Sequence, residues 1–332
     1  MAERLAFIGR IESLSAVENS DNLNSAVVVC GPGGKWTGVV RKNEFKVGNI
    51  CEVYLQDSIL PSDDPRFAFM EKNKFRIKMQ RFRGAPSEVL IMPISDIIAD
   101  VGMDITELTR VEKYNKPVPA SIAGDTKGTF PSFIPKTDEP NFQGVSEMVE
   151  ALRGKLFYSS TKCDGSSGTI YWNNGEFGCC SRNLELKETP NSAIWQIARE
   201  FDLENKMYGS NIAFQFEVVG PNVQKNPMGL SKIEPRLFNV YRINEHCYLN
   251  AEAMFETAKN FGFPTVEIID WNKLFEFNSD EELRKYAEGL YPNGKQREGI
   301  VIRPMNEEYV WIKKEGHKCR LSFKVINLLY KE

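Results

Sequence analysis

Hydrophobic and polar positions alternate most cleanly between Ile212 and Val219, where Phe214, Phe216 and Val218 share one side and Gln215 and Glu217 the other. A period of two describes a strand with one buried face. A glutamate in the middle of such a strand needs a partner or a ligand. The same reading predicts strands over Lys155 to Ser160, Gly168 to Trp172, Glu176 to Cys180, Leu237 to Ile243, Glu298 to Pro304 and Arg320 to Ile326. Asn173-Asn174-Gly175 joins two of them as a hairpin, since Asn-Gly suits the left-handed residues of a tight turn. Helical periodicity is sparser. It predicts Ser146 to Leu152, a helix opened by Pro190 with Ile194, Trp195, Ile197, Ala198 and Phe201 toward the core, and one capped by Asn250 and ended by Gly262. A further helix starts at the capping box Ser279/Glu282. The second half is thus mostly antiparallel sheet with flanking helices.

The first hundred residues show short strands between turns: Leu5 to Leu14, Ala26 to Cys30, Trp36 to Val40, Ile50 to Leu55, Phe75 to Phe82 and Glu88 to Met92. So many strands in so short a stretch suggest a small barrel, for which an OB-like fold is the common solution. Alternation over Lys72 to Met79 places Lys72, Lys74, Arg76 and Lys78 on one face and Phe75, Ile77 and Met79 on the other, and Arg81 and Arg83 follow. Two readings stand for this basic run: an edge strand protected by solvated lysines, or a track for a nucleic-acid backbone.

Composition narrows the classes. Length, at 332 residues, favours two domains, and 42% hydrophobic with 26% charged residues describes an ordinary globular chain. No apolar run is long enough to span a membrane and no secretory signal is seen, so an intracellular location, cytoplasmic or nuclear, is expected. Seven cysteines without framework spacing read as free thiols. With a net charge of −3, any nucleic-acid binding must come from local patches. His246-Cys247 and His317-x-Cys319 lack a C-x-x-C to complete a zinc site. Gly289 to Gln296 approaches a P-loop, but Gln296 stands where a magnesium-binding hydroxyl belongs and the helix-to-strand order is reversed, so it reads as a turn.

The stretch with chemistry to explain is Thr161-Lys162-Cys163-Asp164-Gly165-Ser166-Ser167, between two strands. The lysine amine can attack, the carboxylate can face a metal, and the glycine lets backbone approach a phosphate. A solvated surface turn has the same composition. The hairpin that follows returns Ser181-Arg182-Asn183 toward Lys162, giving either a phosphate-binding guanidinium or an ordinary surface arginine. Glu217, Glu298 and Lys324, on the polar faces of later strands, suggest one cleft lined from several strands.

In order, Lys162 to Gly165, Ser181 to Asn183, Phe216 to Pro221, Leu237 to Tyr241, Glu298 to Pro304 and Ser322 to Ile326 resemble the six motifs of covalent nucleotidyltransferases, the superfamily of ATP-dependent DNA and RNA ligases and capping enzymes. The chain is most similar to RNA ligases of the Deinococcus–Naegleria type, which place an OB module before the catalytic domain. Six residues follow Ile326, matching the expectation that the domain ends soon after its last motif. Glu217 to Asn226 is typical of RNA ligases, and Arg83-Gly84-Ala85-Pro86-Ser87 resembles R-G-x-x-S of the family's first module, from which Glu88-Val89 departs.

The resemblance implies an α+β protein: an OB-like nucleic-acid-binding barrel at 1–110, a linker at 111–140 and an adenylyltransferase domain at 141–332. It implies that Lys162 attacks the α-phosphate of ATP, forming a lysyl-AMP. Lys162, Arg182, Glu217, Phe238 and Lys324 would bind ATP, with Phe238 on adenine. Asp164 and Glu298 would face Mg2+ or Mn2+, largely through waters. Lys72, Lys74, Arg76, Lys78, Arg81, Arg83, Gln224 and Lys225 would contact an RNA or RNA-containing duplex with 5′-phosphate and 3′-hydroxyl ends, bound by a monomer. A lysine is mostly protonated at neutral pH, so its pKa is expected to fall, pushed by Lys324 and the metal. Ser322 stands where many relatives have a lysine, for which Lys318 or Arg320 is the candidate substitute. The alternatives are a DNA ligase or capping guanylyltransferase with the same lysyl-nucleotide chemistry, and a non-catalytic nucleic-acid-binding protein.

Overall fold

Alternation in the first ninety residues builds a curled antiparallel sheet, with strands in the order Lys35–Arg41, Leu23–Val29, Ala6–Ala16, Ile50–Tyr54 and Leu90–Pro93. The central strand is buried on both faces: Phe7 and Ile11 pack with Val28, Trp36, Val53 and Ile91, while Ala6 and Ile8 pack with Tyr54, Phe67, Ile77 and Ile105. Closure comes from Glu88 N donating to Thr37 O at 2.8 Å and Val39 N donating to Ser87 Oγ at 2.9 Å. The result is the OB-like barrel. This description rests on a computed structural model in which residues 4–18, 20–95, 100–114 and 125–330 are described. It packs as two units: Met1–Pro117 with Gln143–Glu147 and Trp311–Cys319, and Val118–Phe142 with Met148–Val310 and Arg320–Glu332.

One barrel expectation fails. The basic run does not form an alternating strand, because Pro65–Asn73 is a 3₁₀ helix and Lys74 and Phe75 both adopt positive φ, 52° and 56°. Asp64 caps the helix by accepting from Arg66 N, and Pro65 sits where its missing N–H costs nothing. Phe67 and Met70, three residues apart, enter the core, and that helical spacing prevails over the alternation that follows it. Strand structure resumes only at Gln80–Phe82.

In the second unit one sheet runs Thr126–Thr129, Leu184–Leu186, Glu176–Ser181, Ser166–Asn173, Ile212–Val219, Glu234–Arg242, Cys247–Tyr248. Asn174 and Gly175 take positive φ, 49° and 88°, so they form the hairpin turn. Phe214, Phe216 and Val218 meet Trp195 and Ile197 of the helix Ala193–Glu200 and Met254 and Ala258 of the helix Ala251–Phe261. The helix expected from Pro190 starts later, since Ser192 accepts from Trp195 N and caps it. A second sheet runs Ile268–Leu274, Leu156–Lys162, Gly299–Pro304, Phe323–Ile326. Its first strand had no sequence signal, being largely exposed and broken by register shifts.

Within the expected 111–140 linker, Lys116 to Pro119 lies outside the described residues. Residues 125–140 are more than a tether. Thr126–Thr129 pairs with Leu184–Leu186, and the chain then bonds along the second unit: Thr137 to Ser167, Asp138 to Arg182, Glu139 to Arg303 and Pro140 O to Lys324 N. The near-P-loop is a turn, with Tyr291 N donating to Lys295 O at 2.7 Å.

Candidate active site

Lys162 ends the strand Leu156–Lys162, and register does the rest. Lys162 pairs opposite Gly299, so Glu298 lies beside it, and Lys324 on the next strand pairs opposite Val301. Lys162 Nζ donates to Glu298 Oε1 at 2.6 Å, with side chains 25% and 19% exposed. Tyr291 ties the two backbones together, its hydroxyl donating to Lys162 O at 3.1 Å and accepting from Glu298 N at 3.2 Å.

The turn after Lys162 passes to the larger sheet, where Ser167 pairs opposite Glu217. Gly165 is required there: a Cβ would fall 2.3 Å from Val218 O and 2.8 Å from Glu217 Cγ. Asp164 accepts from the Tyr330 hydroxyl through Oδ2 at 2.5 Å. Three carboxylates, Asp164, Glu217 and Glu298, therefore act on one ammonium. Burial alone would lower the Lys162 pKa, but Glu298, Glu217 and Asp164 outweigh it and hold the amine above the ordinary lysine value. Burial pushes Glu217 up to about 8 against the pull of Lys162, and it also raises Glu298. The expected fall of the Lys162 pKa is thus reversed by the protein's own side chains, because the carboxylates exceed the cations. Lys324 acts on Glu298, where it favours the ionised form.

The remaining nucleotide candidates divide. Phe238 is half-buried against Cys163, Val219 and Val266. Its carbonyl accepts from Arg303 at 3.2 Å, whose guanidinium lies 6.0 Å from its ring. Arg182 does return on the hairpin, but its guanidinium is half-exposed and pairs with Asp138 at 2.6 Å. Ser322, in place of the relatives' lysine, is buried and accepts from Arg303 Nε at 2.9 Å. Arg320 is committed to Glu307 and Asn239 and lies over the Tyr248 ring, so it does not replace that lysine; Lys318 is exposed.

The nucleic-acid candidates also divide. Lys72, Lys74, Lys78 and Arg83 are exposed and Arg81 is partly so, bonded to Gly84 O. Arg76 is held by Asp57 at 2.9 Å and stacks on Tyr114, 3.9 Å from the ring. Lys225 and Gln224 are both exposed, and Gln224 donates to Gly165 O at 2.8 Å, bracing the turn after Lys162. Sequence reasoning gave no role to Tyr291 or Tyr330, lone tyrosines without a motif, nor to Arg303, although it lies within the Glu298 to Pro304 motif.

A divalent metal fits this cluster. Glu298 Oε2 is buried without a hydrogen-bond partner, an orphan acceptor that a cation or its water would satisfy. Among the described residues no group of three or more His, Cys, Asp or Glu is placed to hold an ion alone. That suits magnesium or manganese, which keep waters and share substrate phosphates.

A family model for RNA ligases matches residues 155–326, and an OB-fold domain model matches residues 5–94. No curated protein sequence matches the chain. Among solved structures it is similar to an apo variant of Naegleria gruberi RNA ligase, with TM-score 0.82 and 27% identity over 99% of this chain and 98% of that one. Variants of that enzyme with ATP and Mn, and with AMP and Mn, each give TM-score 0.80 and 27% identity over 98% of this chain and 97% of theirs.

Proposed function

This chain belongs to the RNA ligase family, and from that premise we propose that it is an ATP-dependent RNA ligase whose nucleophile is Lys162. The observation that carries the assignment is the 2.6 Å contact of Lys162 Nζ with a carboxylate whose second oxygen is buried and unpartnered. Lys162 Nζ gives up its extra proton, for which Glu298 Oε1 at 2.6 Å is the acceptor within reach, and the free amine attacks the α-phosphate of ATP, forming an N–P bond as the bond to the β-phosphate oxygen breaks and pyrophosphate leaves. The AMP passes to a 5′-phosphate, and a 3′-hydroxyl displaces it to close the strand.

Glu298 holds the Lys162 amine in position and is the acceptor for the proton it must lose. Asp164 and Glu298 would hold the divalent ion, and the Glu217 carboxyl beside them, whose pKa burial raises to about 8, would ionise there once a cation offsets that rise. That ion, when bound, supplies positive charge that offsets the carboxylates and the developing charge on the α-phosphate. Phe238 offers a ring beside Cys163 for the adenine, Lys324 a cation for phosphate, and Arg182 a second cation once it leaves Asp138. Residues 1–110 serve as the nucleic-acid-binding module through Lys72, Lys74, Lys78, Arg81 and Arg83, and 111–140 connects it to the catalytic residues 141–332. The substrate is a nicked duplex with RNA on the 3′-hydroxyl side, and the enzyme acts as a monomer inside the cell. No helix among the described residues is long and apolar enough to cross a membrane.

Incubation with α-labelled ATP and Mn2+ tests the reading. Covalent label is expected on the protein and lost in Lys162→Ala. Absence of label from the native protein would overturn it. Sealing of nicks carrying RNA, and not DNA, at the 3′-hydroxyl end tests the substrate.

A further inference from the structure

The segment after the last strand turns back to the nucleophile. Asn327 is fully buried, its N–H donating to Glu298 O at 2.9 Å and its side-chain amide to Gln296 Oε1 at 3.0 Å and Arg297 O at 2.9 Å. Its Oδ1 accepts from Leu329 N at 2.9 Å and its carbonyl from Tyr330 N at 3.0 Å. An asparagine that bonds two residues ahead forces a tight turn. The turn leaves Leu329 45% exposed and directs Tyr330, 8% exposed, inward to Asp164. A phenylalanine would fill the same space. The hydroxyl earns its place only through Asp164 Oδ2, 2.5 Å away, on the residue two positions past Lys162.

We propose that Tyr330 is a positioning residue for adenylyl transfer, fixing the Asp164 carboxylate so that its other oxygen faces the nucleotide and its metal. A carboxylate on a rotatable bond explores several orientations. A short charge-assisted bond to one oxygen selects among them before substrate arrives, and such prior ordering lowers the cost of binding. Tyr291 does for the Lys162 and Glu298 backbones what Tyr330 does for the Asp164 side chain, so two phenols hold the turn from outside it. The inference rests on the ligase reading for what Asp164 does, but the contact itself is independent of it.

Tyr330→Phe removes the hydroxyl and keeps the ring. The half-saturating Mn2+ concentration for lysyl-AMP formation is expected to rise about tenfold, while the rate at saturating Mn2+ changes less than threefold. A second readout avoids turnover: Mn2+ binding in the presence of ATP, followed by electron paramagnetic resonance, should weaken about tenfold between Lys162→Ala and Lys162→Ala/Tyr330→Phe. Leu329→Ala disturbs the same turn but leaves the hydroxyl, and should keep the native Mn2+ requirement. An unchanged requirement in Tyr330→Phe, within twofold, overturns the proposal, as does an equal shift in Leu329→Ala, which would assign the effect to packing. If the native protein takes no label, the ligase reading fails. If the native protein and Tyr330→Phe label alike across the whole Mn2+ range, only the role of Tyr330 fails.

Discussion

Around Lys162 the charged groups come from distant parts of the chain and are buried against one another; along Lys72 to Arg83 they are neighbours in sequence and most face solvent. Strand register brings Lys162, Glu298 and Lys324 together, and the turn through Gly165 adds Glu217. Lys162, Glu217 and Glu298 shift one another's protonation, so removing one alters the other two. In the basic run, screening by water and salt leaves most charges independent. The first arrangement suits chemistry at one atom, the second attraction to an extended polyanion.

The sharpest break of the comparison is Lys162→Ala, expected to abolish covalent label entirely while the sheets remain, as checked by circular dichroism. Lys162→Arg should fail as well, because a guanidinium stays protonated in proteins. Next, Glu298→Gln removes the carboxylate that contacts the amine. Label formation at neutral pH is expected to fall about a hundredfold. Because Glu298 raises the Lys162 pKa, the remaining activity should extend to lower pH than in the native protein. A pH profile that stays in place would show that the two groups are not coupled.

The same contrast governs what the sequence discloses. The sheet around Glu217 was legible because Phe214, Phe216 and Val218 repeat at period two, and the core-facing helix because Ile194, Trp195, Ile197 and Ala198 follow helical spacing. The turn after Lys162 was legible through its motif. Arg303 was not. Its place within the Glu298 to Pro304 motif was on the page, but its bonds to Glu139, Ser322 and the Phe238 carbonyl reach segments outside its own sheet's strands, which no local pattern discloses. The missing lysine at Ser322 pointed to Arg320 or Lys318, yet the buried cation beside Ser322 is Arg303. The basic run misled for the opposite reason. Its alternation is real, but Phe67 and Met70, upstream, determine the backbone.

A smaller effect concerns Glu217 and stability. Its folded pKa, about 8, lies above the unfolded carboxylate value, so between roughly pH 4.3 and 8 the folded state holds the extra proton. Folding stability of the ligand-free protein should therefore decline as pH rises through that window. Glu217→Gln removes the titration. Its melting temperature should exceed the native value by a few degrees at pH 8, about 2–4 °C for each 1 kcal/mol, and the difference should shrink toward pH 5. An equal difference at both pH values would show that Glu217 is not held by this charge balance.

The smallest effects belong to the basic run, and they test additivity. Lys72→Ala alone should change label formation not at all and nick sealing less than about threefold, since one solvated charge contributes little. Replacing Lys72, Lys74, Lys78 and Arg83 together removes four exposed cations. Sealing should then fall at physiological salt with labelling intact, and RNA affinity should lose salt dependence by about 0.7–0.9 per phosphate contact removed. Arg76→Ala should depart from this pattern. Its guanidinium pairs with Asp57 and stacks on Tyr114, so its loss should lower the melting temperature more than it lowers affinity. Equal behaviour of Arg76 and Lys74 would place both in the binding surface and erase the distinction between the structural and the solvated members of the run.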